Sequence, residues 1–408
     1  MPWVDTRRKV RSVCRRVWAR LAESGPRPPE PVVDEPEEVL PFLPDPRPRC
    51  ITPPPSAAPP RQEQCLFFRK LPPEIRIQIY NHAFGNQTLH MDLEYTWPDK
   101  PRSRVADENG GTRRHCAIAP NANFPAYRKL DSKQPRAWRW WGSVCHREPP
   151  PHKLSVIHRW DEEPAPWVDN CRNGRVKYCA AWGGAWPERC QTGVMGWLLS
   201  CRLAYVEAID ILYRQNTLHI DSHAIFENLD QLFLAQRLSC ISSLEIKYNT
   251  NILTESWGLY PYMEAVCGIQ RLFRALTSQL PSLRTLHLTI TSVYDLGTPV
   301  NFKLFFEAAD KFVVDNPALT RFTLSIPRAA FQHLWVEAQT NRAPQHEDGG
   351  VETETFRFLN GTYGFTDQDA QETGLRWKRD RPLRSNFKEC DNGYWVIEGQ
   401  KSPFRFNF

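Results

Sequence analysis

Nine cysteines and histidines crowd the stretch from His115 to Cys190: Cys116, Cys145, Cys171, Cys179 and Cys190, with His115, His146, His152 and His158. The whole chain of 408 residues holds 12 cysteines and 11 histidines, so the local density is about double the average. Thiolates and imidazoles in fours are what zinc binds, and a metal staple suits a stretch poor in regular structure. The spacing argues the other way. No Cys-x-x-Cys pair occurs there, and His115–Cys116 and Cys145–His146 are adjacent pairs, whose side chains rarely reach one ion together. The expectation is of incidental or buried thiols and no cofactor. If zinc is bound, those five cysteines are the thiols it must draw on.

Signatures of catalysis are missing. The chain has no Gly-x-x-x-x-Gly-Lys loop for phosphates, no Gly-x-Gly-x-x-Gly, no Gly-x-Ser-x-Gly, no His-Glu-x-x-His and no calcium loop. Cys145–His146 imitates a thiol–base pair, but such pairs are assembled in space, not by adjacency. Glu162–Glu163 stands among prolines and reads as solvated. Asn86-Gln87-Thr88 and Asn360-Gly361-Thr362 fit glycosylation sequons, which matter only in a secreted protein. A non-enzymatic protein is expected.

The elements that could position a site are clearest over residues 194–360. VMGWLLSCRLAYVEAIDILYRQ places apolar residues at 194, 197, 198, 201, 205, 208, 209 and 212, one face of a helix. NTLHI then reads as a strand, HAIFENLDQLFLAQ as a helix and SSLEIKY as a strand. YMEAVCGIQRLFRALTSQL, SLRTLHLTI, FKLFFEAADKFVVDN and LTRFTLSI continue the alternation, followed by the helical AAFQHLWVEAQT and the strand ETFRFL. Strands alternating with helices predict a parallel sheet. Leu283, Leu286 and Leu288 echo a leucine-rich repeat, but the repeat spacing is irregular. Two short strands are expected at Leu375–Arg379 and Tyr394–Glu398.

Upstream, Leu71-Pro72-Pro73-Glu74 opens a helix that runs to about Phe84, with Gly85 as its stop. Its apolar residues make two stripes, Ile75, Ile79 and Ala83 on one side and Ile77, Tyr80 and Phe84 on the other. One stripe faces a core, and the other faces either that core or a partner. This helix is expected to pack on the one spanning Met195–Gln215. TLHMDLEY alternates like a strand. Residues 94–193 look irregular, although eight of the 15 tryptophans lie between Trp138 and Trp197.

Charge and composition set the frame. Seven Lys/Arg against two acidic residues give the first 24 positions a basic amphipathic pattern. It reads as a targeting or membrane-surface segment, or as a solvated terminal helix. Fourteen of the 35 residues from Pro26 to Pro60 are proline, so 25–64 reads as a disordered linker. The net charge of +6 shows no concentrated basic face beyond the N-terminus, which speaks against specific nucleic-acid binding. No run of about 18 apolar residues exists, and no secretory leader is visible. Reduced thiols and an intracellular setting, cytoplasm or nucleus, follow. The domain order is 1–24 basic segment, 25–64 linker, 65–93 first helix and strand, 94–193 insertion, 194–360 helix plus α/β region, and 361–408 extension.

LPPEIRIQIY (71–80) resembles the opening helix of an F-box, Leu-Pro-x-Glu-Ile followed by apolar residues at helical spacing. LLSCRLAYVEAIDILYRQNTLHI (198–220) is similar to the second half of F-box-like domains in fungal proteins, where Cys-Arg-x-x-Tyr-x-Glu leads through Leu-Tyr into Asn-Thr and a strand. With FGNQTLHMDLEY, VCHR and GVMGWLLSCR, the match points to a fungal family defined by a domain of unknown function, covering about 65–250. More than 100 residues separate the two halves, which in an F-box are adjacent. The resemblance implies an F-box-like helical element ahead of a degenerate leucine-rich-repeat-like parallel α/β region, with the long Trp/Cys-rich stretch inserted between. It implies a protein–protein interaction role, as a substrate receptor of a cullin–RING ubiquitin ligase. Leu71, Pro72, Glu74, Ile75 and Ile79 then contact the Skp-type adaptor, and the sheet or solenoid surface carries the target. The alternative is a structural or regulatory module, zinc-stabilised, with no ligase link.

Overall fold

Alternating strands organise the body. In the computed structural model, described over residues 39–44, 65–98, 131, 133–148, 166, 169, 182–184, 190–250, 261–291, 299–328, 330, 331, 334, 354–358, 363–364 and 393–399, nine strands form one sheet. They are β1 (Thr88–Thr96), β2 (Ala137–Val144), β3 (Thr217–Ile220), β4 (Ser243–Asn249), β5 (Thr285–Thr291), β6 (Arg321–Ile326), β7 (Glu354–Phe358), β8 (Tyr363–Gly364) and β9 (Gly393–Glu398). Their order is β2-β1-β3-β4-β5-β6-β9-β7-β8. From β1 through β3, β4, β5 and β6 to β9 every pairing is parallel; β2, β7 and β8 join antiparallel. The fold is mixed α/β with a mostly parallel sheet, as the alternation of strands and helices implies.

Period-two patterning gives the sheet two unlike faces. Leu89, Leu218, Leu244, Leu286, Phe322 and Tyr394 share one row of the apolar face, and all are buried in one core. Helices α8 (Pro261–Gln279) and α9 (Pro299–Asp315) pack on that face. Phe273 of α8 stacks on Phe312 of α9 at 4.5 Å between centroids, and Phe322 meets both edge-on. The opposite face is polar, with Thr, Ser, His, Glu, Lys and Arg at the alternate positions.

A smaller helical group precedes and interrupts the sheet. It comprises α1 (Leu66–Lys70), α2 (Pro73–Phe84), α3 (Val194–Leu198) and α4 (Arg202–Arg214). Pro72 caps α2 in an extended conformation, Pro73 occupies its first turn, and Glu74 sits at the positive end of the helix dipole. Tyr80, Phe84, Val194, Ala208 and Ile211 form a core of their own, with Phe67, Trp197 and Leu198 against it. Helices α2 and α4 therefore pack together across the intervening insertion, as expected.

The structure also differs from the sequence reading. AWRWWGSV, read as irregular, is strand β2, paired with β1 along its whole length. The segment 194–215 is two helices, because Cys201 is extended and its Sγ accepts the Ala204 N–H at 3.4 Å, capping α4. The segment 223–236, read as one helix, is three short ones: α5 (His223–Glu227), α6 (Leu229–Leu232) and α7 (Ala235–Leu238). Within the proline-rich stretch, residues 39–44 lie on the body: Leu40 packs on the main core, and the Leu43 N–H donates to the Gln231 carbonyl at 2.9 Å. The expectations for 1–24, the rest of 25–64, Leu375–Arg379 and most of AAFQHLWVEAQT lie outside the described residues.

Candidate functional site

Register brings chemistry together where spacing along the chain does not. In-register pairing places Ser143, His90, His219, Glu245, His287 and Thr323 in a single row across six strands of the polar face. Four of these, Ser143, His90, His219 and Glu245, are buried. The last three are buried because the chain leaving β2, Cys145-His146-Arg147, and the separate residue Asp169 come against them.

Arg147 grips Glu245 with two hydrogen bonds, Nη1 to Oε2 and Nη2 to Oε1, both 2.6 Å. Its Nη1 is also 3.3 Å from Asp169 Oδ2. His219 Nδ1 is 3.1 Å from Glu245 Oε2. The Cys145 thiol donates to Asp169 Oδ2 at 3.0 Å. His90 Nε2 is 3.2 Å from the same oxygen but makes no hydrogen bond of good geometry. The two imidazoles meet edge to face at 4.6 Å, and Trp141 packs beside His90 at 5.4 Å.

Isolated charges so deeply buried cost several kcal/mol each, so they persist only as a mutually paired set. Burial presses the His90 imidazole towards neutrality, yet Asp169 and Cys145 beside it hold its pKa well above the usual histidine value. Burial likewise opposes ionisation of Asp169, but His90, His219 and Arg147 keep its pKa well below the carboxylate range. Arg147 and His219 do the same for Glu245. Cys145, His90 and Arg147 all converge on one oxygen of Asp169. A carboxylate serving as such a hub is not the orienting member of a thiol–imidazole relay, which would hold the far nitrogen of the histidine.

Of the five cysteines that zinc would have to draw on if bound, Cys145 and Cys190 are described and buried; Cys116, Cys171 and Cys179 lie outside the described residues. Cys190 Sγ lies 4.0 Å from His146 Nδ1, and the His146 ring stacks on Trp182 at 4.8 Å. The density of cysteine and histidine led to Cys145 but passed over His90, Asp169 and His219. The missed signal was a repeated tripeptide. Thr-Leu-His opens β1, β3 and β5, with Ser-Leu-Glu in the matching place of β4.

The residues singled out on α2 take several positions. Pro72, Glu74 and Ile75 are exposed, and Leu71 and Ile79 are half-buried. Ile77, grouped with Tyr80 and Phe84 in one apolar stripe, is exposed while they are buried. Arg76 takes its place on the buried line 76–80–84. That is affordable because its guanidinium is fully occupied: Nε donates to Glu207 at 2.9 Å, Nη1 to the Leu71 carbonyl at 2.6 Å, and Nη2 to the second Glu207 oxygen. Tyr80 Oη adds a 3.1 Å bond to Glu207, and burial pushes its phenol pKa up. Asn216, fully buried, accepts the Gln87 N–H at 2.8 Å and donates to the carbonyls of Phe84 and Leu212.

A family model described as "Domain of unknown function (DUF7730)" matches residues 60–134 and 144–301. That is more than half of the chain, which therefore belongs to the DUF7730 family. No curated protein and no solved structure matches it.

Proposed function

We propose that this DUF7730 protein is a non-enzymatic interaction protein whose α1–α4 helical group docks a protein partner through α2, the partner being a Skp-type adaptor of cullin–RING ubiquitin ligases. The observation that carries this reading is the exposure of Ile75 (39%) and Ile77 (43%) on a helix anchored by the narrow line Arg76–Tyr80–Phe84. Isoleucines left outside a fold on both shoulders of one helix are what an interface takes up. Leu66, Met195 and Leu199, of the same helical group, are exposed as well. The Leu-Pro-Pro-Glu-Ile opening and its F-box resemblance choose the adaptor among protein partners.

The sheet supplies the second half of the reading. Strands β3 to β6 follow chain order with their helices on the apolar face, which supports the leucine-rich-repeat-like reading. Half-exposed Thr285, His287, Arg321 and Thr323 on the polar face then offer hydrogen-bonding groups to a target. The direct test mixes the full chain with purified Skp-type adaptor and follows the pair by size-exclusion chromatography. Co-elution as one complex is expected. Separate elution at micromolar concentrations overturns the adaptor assignment.

A further inference from the structure

We propose that His90, His219, Asp169 and Cys145 hold one zinc-class divalent transition-metal ion at the polar face of the sheet. Ligand atoms of the two histidines and Asp169 all lie within 4.8 Å of one another. Tetrahedral zinc with bonds of about 2.1 Å sets its ligand atoms about 3.4 Å apart. The His90–Asp169 pair, at 3.2 Å, already has about that spacing, and the widest pair among these three has to close by at most about 1.4 Å; Cys145 Sγ stands 3.0 Å from Asp169 Oδ2.

Two features favour an ion over a closed hydrogen-bond network. His90 Nε2 is buried 3.2 Å from Asp169 Oδ2 yet makes no proper hydrogen bond, and Ser143 Oγ, next to it in the row, is buried with no partner among the described residues. Buried polar atoms are seldom left so. Then Glu245 binds His219 through Nδ1, which leaves Nε2 as the nitrogen free to ligate. A carboxylate on the outer nitrogen of a histidine is the usual brace of a metal-bound imidazole. Arg147 in turn fixes that carboxylate from both sides.

The donor set chooses the metal class. Two imidazoles, a thiol and one carboxylate suit zinc and its neighbours, and are too soft for magnesium or calcium. Four protein donors in a buried site leave no open position, so the ion is structural. It ties the end of β2 and the residue Asp169 to β1 and β3. On binding, the Cys145 proton leaves to solvent as the thiolate–metal bond forms. This inference is independent of the adaptor reading.

The test uses the full chain. Elemental analysis of protein prepared without chelator is expected to show one zinc per chain. Chelator-treated protein is expected to take up one Zn2+ in calorimetric titration, and with Co2+ to give a near-ultraviolet thiolate–cobalt band that Cys145→Ser removes. Asp169→Asn and His219→Gln are each expected to weaken Zn2+ binding by more than tenfold. Glu245→Gln is expected to keep the stoichiometry and weaken binding 10–100-fold. A wild-type chain that is folded by thermal melting yet neither carries nor takes up stoichiometric zinc overturns the proposal. So does a cobalt adduct without the thiolate band, or unchanged affinity in folded Asp169→Asn and His219→Gln. Should those variants fail to fold, the wild-type titration and spectrum decide.

Discussion

Glu207 stands 131 residues from Arg76 in the chain and 2.9 Å from it in the fold. It is the glutamate of the Cys-Arg-x-x-Tyr-x-Glu run, and Asn216 is the asparagine of the Asn-Thr that follows. Both are fastenings between α2 and α4, not reactive groups. Replacing Asn216 with alanine leaves the Gln87 N–H and two carbonyls buried without partners. The expected loss is about 3 kcal/mol, read as a lowered denaturant midpoint with unchanged slope. The buried ion cluster makes a prediction about pH. Asp169 and Glu245 titrate in the fold well below their unfolded range near 4, so their contribution is full above about pH 5 and is lost as pH falls through the depressed values. His90, faced by Asp169, Cys145, His219 and Trp141, has its folded value raised; its contribution is complete below about pH 6 and is lost as pH rises through that value. Metal-free protein is therefore expected to melt highest at about pH 5–6.5, measured by calorimetric scans across pH. A bound ion requires neutral His90, so zinc-loaded protein is expected to hold its melting temperature further into the alkaline range.

At the scale of elements, legibility followed periodicity. Helices α8 and α9 and strands β1, β3, β4, β5 and β6 each repeat apolar residues at one clear period, and each stands where that period puts it; α2 was marked by its Pro-Pro-Glu opening and Gly85 stop. Strand β2 did not announce itself because Trp138, Trp140 and Trp141 fall on both faces and erase alternation. The break between α3 and α4 was hidden because a thiol, an unusual N-cap, starts α4 at Cys201. The row of polar residues across the sheet depends on strand register, which no single segment encodes. Asp169 belongs to a stretch with no period at all. A helix end that sequence marked well is Gly85. A Cβ there would sit 2.9 Å from the Asn81 carbonyl oxygen and 3.0 Å from Gln215, closer than such atoms pack. Gly85→Ala is expected to cost about 1–3 kcal/mol, checked by thermal melting. Asn86 beside it holds the left-handed conformation, φ 55°, which asparagine adopts more readily than most residues.

Over the described residues, the body is built on a sheet with one committed face and one chemical face. Helices cover the apolar side from β1 to β9, and a single core runs through them. No helix among the described residues is long and apolar enough to cross a membrane. The polar side carries the buried cluster at β1, β3 and β4 and half-exposed hydroxyls, imidazole and guanidinium further along. The helical group has its own small core and exposes isoleucine where the F-box resemblance puts a partner. Docking through α2 is thus a claim about which side of that helix is already occupied. Tyr80→Ala or Phe84→Ala removes the occupied side and is expected to cost about 3–5 kcal/mol. The most direct measurement is the double variant Ile75→Ala/Ile77→Ala in the full chain, with thermal melting and adaptor binding read on the same preparation. A melting temperature within about 2 °C of wild type with adaptor affinity lowered at least tenfold is the expected pair. A collapsed melting temperature, or unchanged adaptor binding in a folded variant, contradicts the account.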